Sequence, residues 1–110
     1  MAIANVPFTL TDWTGLPRVE HKGETGTSTW KTVDAGGVRV RVVEYSPRYK
    51  ADHWCGRGHI LLVLDGELEI IVQGGGAHIL KPGTGFVAGD DPTRPHLVLS
   101  SKGARVYIVD

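Results

Sequence analysis

Apolar positions along this chain come in short runs separated by turn residues, with almost no helical periodicity. Val38 to Val42 alternates valine with arginine, a period of two that fits a half-buried strand. Ile60 to Leu64, Leu68 to Val72, Leu97 to Leu99 and Val106 to Val109 are apolar runs of strand length. Gly36-Gly37, Ser46-Pro47, Asp65-Gly66, Gly74-Gly75-Gly76, Pro82-Gly83, Gly89-Asp90-Asp91-Pro92 and Lys102-Gly103 break the chain between them. Asp65-Gly66 predicts a hairpin joining its flanking runs, because Asp-Gly tolerates the positive φ that both central residues of a type I′ turn need. Lys102-Gly103 predicts a second one. Roughly eight to eleven short strands at this spacing predict an all-β protein, an antiparallel sandwich or small barrel. Thr9 to Trp13 reads as a strand or a single helical turn, and Leu16 to Gly26 as loop. Residues 1 to 25 are therefore expected to form an arm on a barrel built from residues 26 to 110.

Length and charge narrow the picture further. A chain of 110 residues buries one core, so one domain is expected. Its 12 Lys+Arg balance 12 Asp+Glu, which leaves no basic face for nucleic acid or an anionic membrane. The longest apolar run, Ile60 to Leu64, is far short of a membrane span and stops at Asp65-Gly66. The opening Met-Ala-Ile-Ala-Asn-Val-Pro has no charged region followed by an apolar stretch, so no signal peptide is expected and the cytoplasm is the expected compartment. The single cysteine, Cys55, is a packing residue, a reactive thiol, an intermolecular link or a metal ligand.

Chemistry concentrates in Ala51-Asp52-His53-Trp54-Cys55-Gly56-Arg57-Gly58-His59, just before an apolar run. Side chains alternate along a strand, so His53 and Cys55 are expected on one face. Gly56 and Gly58 permit a bulge or tight bend that swings His59 back toward the same point. His96, far along the chain at the start of another apolar run, is a fourth candidate, as when a barrel interior collects ligands from neighbouring strands.

At these residues the chain resembles the cupin superfamily, whose first motif is G-(x)5-H-x-H-(x)3,4-E-(x)6-G. His53 stands on the first histidine, Cys55 on the second, His59 on the glutamate and Gly66 on the closing glycine, while Pro47 occupies the opening glycine. In the second motif, G-(x)5-P-x-G-(x)2-H-(x)3-N, Gly85 and His96 match, whereas Asp91, Thr93 and Ser100 replace the proline, the second glycine and the asparagine. The resemblance covers about residues 38 to 110, and is nearest to small single-domain cupins with a clustered Asp, His, Cys and Trp, here Asp52, His53, Cys55 and Trp54. It implies a jelly-roll barrel, commonly a homodimer paired through strand edges, with a divalent metal held by His53, His59 and His96 and with Cys55 as a fourth or nearby ligand. Zinc, iron or nickel would suit such a set, and coordination by a thiolate would favour softer metals. The implied function is a metal-binding cupin acting on a small polar or aromatic metabolite by oxygenation or by Lewis-acid-assisted isomerisation or hydrolysis. The alternative is a cupin that binds a small molecule without turnover or is purely structural, since no suitably spaced glutamate offers a general base.

Several residues carry plainer expectations. His21 and His78 have no ligand-type neighbour and are read as surface or packing residues. Asp52 is expected to point away from His53 into a turn or surface hydrogen bond, and Trp54 to pack or to contact a second subunit. Arg39 and Arg41 share one face of their strand with Tyr45, opposite Val38, Val40 and Val42. That face is expected to be solvated, with an anion clamp for a carboxylate or phosphate as the functional alternative.

Overall fold

The computed structural model describes residues 3–110; Met1 and Ala2, the first residues of the expected arm, lie outside the described residues. The described chain is almost wholly β, with one 3-10 turn at Trp13–Gly15. Its strands are β1 (Val19–Lys22), β2 (Thr27–Ala35), β3 (Val38–Lys50), β4 (His59–Gly66), β5 (Leu68–Val72), β6 (Gly76–Leu80), β7 (Gly85–Ala88) and β8 (His96–Val109). All pair antiparallel in one sheet ordered β1-β2-β3-β8-β4-β7, with β6 attached through β5. No helix among the described residues is long and apolar enough to cross a membrane.

The 14-residue β8 organises the sheet. One edge pairs with β3 from Val40↔Val109 to Lys50↔Leu99. The other edge pairs with β5 from Val72↔His96 to Glu69↔Leu99, then with β4 from Gly66↔Ala104 to Ile60↔Val109. Hence β4 and β5 do not form the hairpin expected at Asp65-Gly66, nor does Lys102-Gly103 turn the chain back. Asp65 is not in the left-handed region, while Gly66 and Gly103 are, at φ +76° and +87°. A Cβ on Gly66 would lie 2.2 Å from the Gly103 carbonyl oxygen. The two glycines therefore let adjacent strands touch and bend together, and both strands run on through the corner instead of reversing. True hairpins lie at Gly36-Gly37, joining β2 to β3, and at Gln73-Gly74-Gly75, joining β5 to β6.

β1 falls inside the stretch expected to be loop. All four of its residues are exposed, so backbone pairing with β2 forms it and no apolar alternation marks it in the sequence. Burial elsewhere follows the pleat: Val43 on β3, Leu61 and Val63 on β4, Leu68 and Ile70 on β5, and Ala104, Val106 and Ile108 on β8 point inward as one apolar cluster. Extending these inward rows to the strand ends brings in polar residues: Arg41 and Arg39 on β3, His59 at the start of β4, His96 at the start of β8 and Asp110 just beyond its end. The arginine face of β3 is thus the interior one. Arg41 is buried, and the expectation of a solvated face there is overturned.

Candidate metal centre

Sheet register places Asp110 between two partners. Val40↔Val109 and Ile60↔Val109 are paired, so Asp110 lies across from Arg39 on one side and His59 on the other. Backbone hydrogen bonds fix the first of these, with Arg39 N–H donating to Asp110 O at 2.7 Å and Asp110 N–H to Arg39 O at 2.9 Å. Arg39 then grips the Asp110 carboxylate through Nε at 2.9 Å and Nη2 at 2.8 Å, and Arg41 Nη2 donates to it at 3.1 Å. His59 Nδ1 also lies 2.9 Å from Asp110 Oδ2. A carboxylate only accepts, so Nδ1 carries the proton and Nε2 presents its lone pair. Burial raises the Asp110 carboxyl, but the Arg39 hydrogen bonds and the Arg41 and Arg39 charges outweigh it and hold the group down at about 2.

The freed His59 Nε2 faces Cys55 Sγ at 3.8 Å. Cys55 is set opposite His96 by reciprocal backbone hydrogen bonds, each 2.8 Å. Donor atoms of Cys55, His59 and His96 all lie within 4.8 Å of one another. Donors that share one zinc ion lie roughly 3.5 Å apart, so a modest closure would let these three hold an ion and leave a further position for another ligand. Burial pushes His59 down to about 4 and His96 below its ordinary value, which leaves both imidazoles unprotonated near neutrality, as metal ligation requires. The Phe86 ring packs edge-on against both, at 6.5 Å from His59 and 5.7 Å from His96. The arrangement of carboxylate, imidazole and open nitrogen is one that fixes ring orientation and strengthens a metal-binding histidine. Thiolate plus two neutral imidazoles is a donor set that fits zinc or iron.

The local chain differs from the expected strand. Between Ala51 and Gly58 it forms bends with only Cys55 bridged to β8, so parity does not bind His53 to Cys55. His53 is 74% exposed and its Nδ1 lies 2.6 Å from the Asp52 carboxylate, at the mouth of the cavity and outside the three-residue group. Asp52 therefore turns toward His53, contrary to expectation. Gly58 brings the chain back to His59 as expected, by close approach: a Cβ there would meet the Ala88 oxygen at 2.4 Å. Its N–H donates to Asp90 at 2.6 Å, and Asp91 N–H donates to Gly56 O at 2.9 Å, tying this loop to the one before β8. His78 is exposed on β6 against the Gly75 carbonyl, and exposed His21 packs on Trp30 on β2; neither belongs to the three-residue group.

Above the three donors opens a cavity of about 250 Å³, walled by Arg39, Arg41, Tyr45, Tyr49, Leu61 and Ile108 among others. Tyr45 lines it as its shared parity with Arg41 implied. Asp110 was not singled out in the sequence, although it continues the inward row Val106, Ile108 at a place where an apolar residue would be the ordinary choice.

No family model matches the sequence, and no curated protein does. Solved structures do match the fold. An RmlC-like cupin from Shewanella frigidimarina NCIMB 400 superposes with a TM-score of 0.74 at 11% identity, covering 96% of this chain and 91% of that one. A sugar phosphate isomerase from a cupin superfamily, from Silicibacter pomeroyi DSS-3, gives a TM-score of 0.70 at 18% identity over 92% of this chain and 74% of that one. Fe(II)-HppE with the alternative substrate (S)-1-HPP gives 0.74 at 13% identity over 94% of this chain and 60% of that one. At such identities the likeness establishes the fold.

Proposed function

From the premise that this chain has the cupin fold, we propose that Cys55, His59 and His96 hold one divalent metal ion and that the cavity above it receives a small metabolite for metal-dependent conversion. The observation that carries the reading is the convergence of three donor atoms within 4.8 Å, two of them on buried histidines and one on half-buried Cys55, in the wall of a cavity of about 250 Å³. A zinc or iron ion there would polarise a bound oxygen atom, and iron would add redox chemistry. The chain's own residues do the rest. Asp110 holds the His59 Nδ1 proton and turns Nε2 toward the metal. Phe86 packs its ring edge-on against both imidazoles and restrains their orientation. Arg39, Arg41, Tyr45 and Tyr49 orient what enters. His53, paired with Asp52, stands at the mouth rather than in the ligand set. A reducing compartment such as the cytoplasm keeps the Cys55 thiol free for this role.

The test is elemental mass spectrometry on tag-free protein purified without added metal. One equivalent of zinc or iron is expected, lost in His96→Ala and Cys55→Ala and kept in His53→Ala. Retention of the same metal by His96→Ala would overturn the ligand set.

A second reading, binding without turnover, is favoured by one observation. Among the described residues no Asp or Glu lines the cavity, and the adjacent Asp110 is committed to Arg39, Arg41 and His59, so these give its wall no carboxylate base. A melting shift with a ligand that is recovered unchanged would select this reading.

The proposed partner in solution is a second copy of the chain. Ile60, Leu62 and Leu64 of β4, Tyr107 of β8 and Val87 of β7 leave an apolar outer face in solvent, with β7 as a free strand edge beside it.

A further inference from the structure

Charge around the cavity is unbalanced. Three of its lining residues are arginines, Arg39, Arg41 and Arg57, and none is an Asp or Glu. Asp52 touches this wall only at exposed His53, and the carboxylate that meets its arginines, Asp110, is shared. Its Oδ1 accepts from Arg39 Nε, and its Oδ2 accepts from Arg39 Nη2, Arg41 Nη2 and His59 Nδ1. Asp110 is 2% exposed and fully engaged, so it neutralises one guanidinium and leaves the other in surplus.

That surplus is buried. The Arg41 side chain is 7% exposed. Its guanidinium lies 4.4 Å from the centre of the Trp30 ring, with Arg39 at 5.7 Å from the same ring. Among the described residues Arg41 donates a single hydrogen bond, and its Nε is buried with no partner. Burial opposes the charge on Arg41 more strongly than Asp110 supports it, and nearby Arg39 adds to the opposition. Arg41 is thus held by one ion pair and keeps unsatisfied N–H groups, and a second anion placed beside it would satisfy them. A guanidinium end presents two N–H groups in the plane and spacing of a carboxylate.

Size and the remaining wall define the rest. A volume of about 250 Å³ is room for one small organic molecule. Leu61, Val98 and Ile108 give the cavity apolar wall, and Tyr45 and Tyr49 pack there with tilted rings, centres 4.7 Å apart.

We propose that the cavity selects a small organic carboxylate with an apolar or aromatic body, its carboxylate on the unengaged Nη N–H groups of Arg41 and Arg39 and its body against Leu61, Val98 and Ile108. This inference rests on the same cavity as the metal reading and names its substrate class, but it does not require the metal.

Calorimetric titration tests it on wild-type protein in two states, stripped by a chelator and reloaded with zinc, with benzoate, benzamide and inorganic phosphate as probes at low ionic strength. Benzoate is expected to bind both states at least tenfold more tightly than benzamide, and phosphate more weakly than benzoate. Arg41→Lys, which keeps the charge but loses the fork, is expected to weaken benzoate about tenfold with an unchanged circular dichroism spectrum. Equal binding of benzoate and benzamide, no benzoate binding in either state, or binding of phosphate alone would overturn the proposal. Zinc retained with benzoate silent would defeat this inference and leave the metal reading standing. Benzoate discriminated from benzamide by a protein that retains no zinc would do the reverse.

Discussion

Asp110 shows how much one carboxylate can set. It fixes the His59 tautomer, holds Arg39 and Arg41 in the cavity wall, and is almost wholly out of solvent. Asp110→Asn is expected to cost roughly 3–5 kcal/mol in urea unfolding, because it leaves buried Arg41 and half-buried Arg39 without their counter-charge. Metal affinity should fall about 10–100-fold, read by competition with a chromogenic chelator, because His59 loses its orienting acceptor. Acid should act on the metal-free protein through His59. Its folded value of about 4 lies below the ordinary 6.5, so between those pH values the unfolded chain takes up a proton that the folded chain refuses. Stability is therefore present above pH 6.5 and lost as pH falls toward 4, by roughly 3 kcal/mol in all. Asp110, depressed from 3.8 to about 2, adds a further loss below that window. Urea midpoints of chelator-treated protein at pH 7, 5.5 and 4.5 read the first loss directly; identical midpoints would refute it. His59, His96 and Cys55 were legible in the sequence because ligand-type residues sat at motif spacing. Asp110 was not, because it belongs to no motif and becomes visible only when the β8 row is known to face inward.

At the scale of elements, the centre is a meeting of strand ends and one loop. β4 and β8 supply His59 and His96 by their first residues, and the loop of residues 51 to 58 supplies Cys55 through a two-hydrogen-bond bridge. Gly58 is the hinge of that loop, with no room for a Cβ against Ala88 and Gly89. Gly58→Ala is expected to push the loop off its neighbour and move Cys55. Metal content should drop severalfold while the far-UV spectrum stays that of the wild type; full metal content would show that the loop tolerates the displacement. Strand existence was readable from apolar runs at β3, β4, β5 and β8, where burial demands them. Connectivity was less so. Asp65-Gly66 has turn chemistry, yet pairing of both flanking strands with the long β8 outweighs the local turn preference and makes a corner. The arginine face of β3 read as solvated because alternation gives the two faces of a strand but not which is inside.

For the whole molecule, the same alternation that turned Arg39 and Arg41 inward left valines, isoleucine and leucines outside. Ile60, Leu62 and Leu64 are each about 40% exposed, and Val87 is 79% exposed. Trp13 of the N-terminal turn covers part of this face through an edge-on contact with Tyr107, ring centres 6.2 Å apart, and Lys31 Nζ donates to the Trp13 carbonyl at 2.8 Å. The remainder is a contiguous apolar surface on the strand that also carries His59, so its covering bears on the centre as well as on solubility. If a second copy covers it, Leu62→Glu places two like charges across a two-fold contact and opposes association without touching the inward row of β4. Light scattering after size exclusion is expected to give about twice the mass of the 110-residue chain for wild type and the mass of one chain for Leu62→Glu. Metal content in the variant then separates two architectures: a centre complete in each subunit keeps its ion in the monomer, whereas one braced by the contact behind β4 loses it. Because Cys55, His59, His96 and Asp110 all come from one chain, the monomer is expected to keep it.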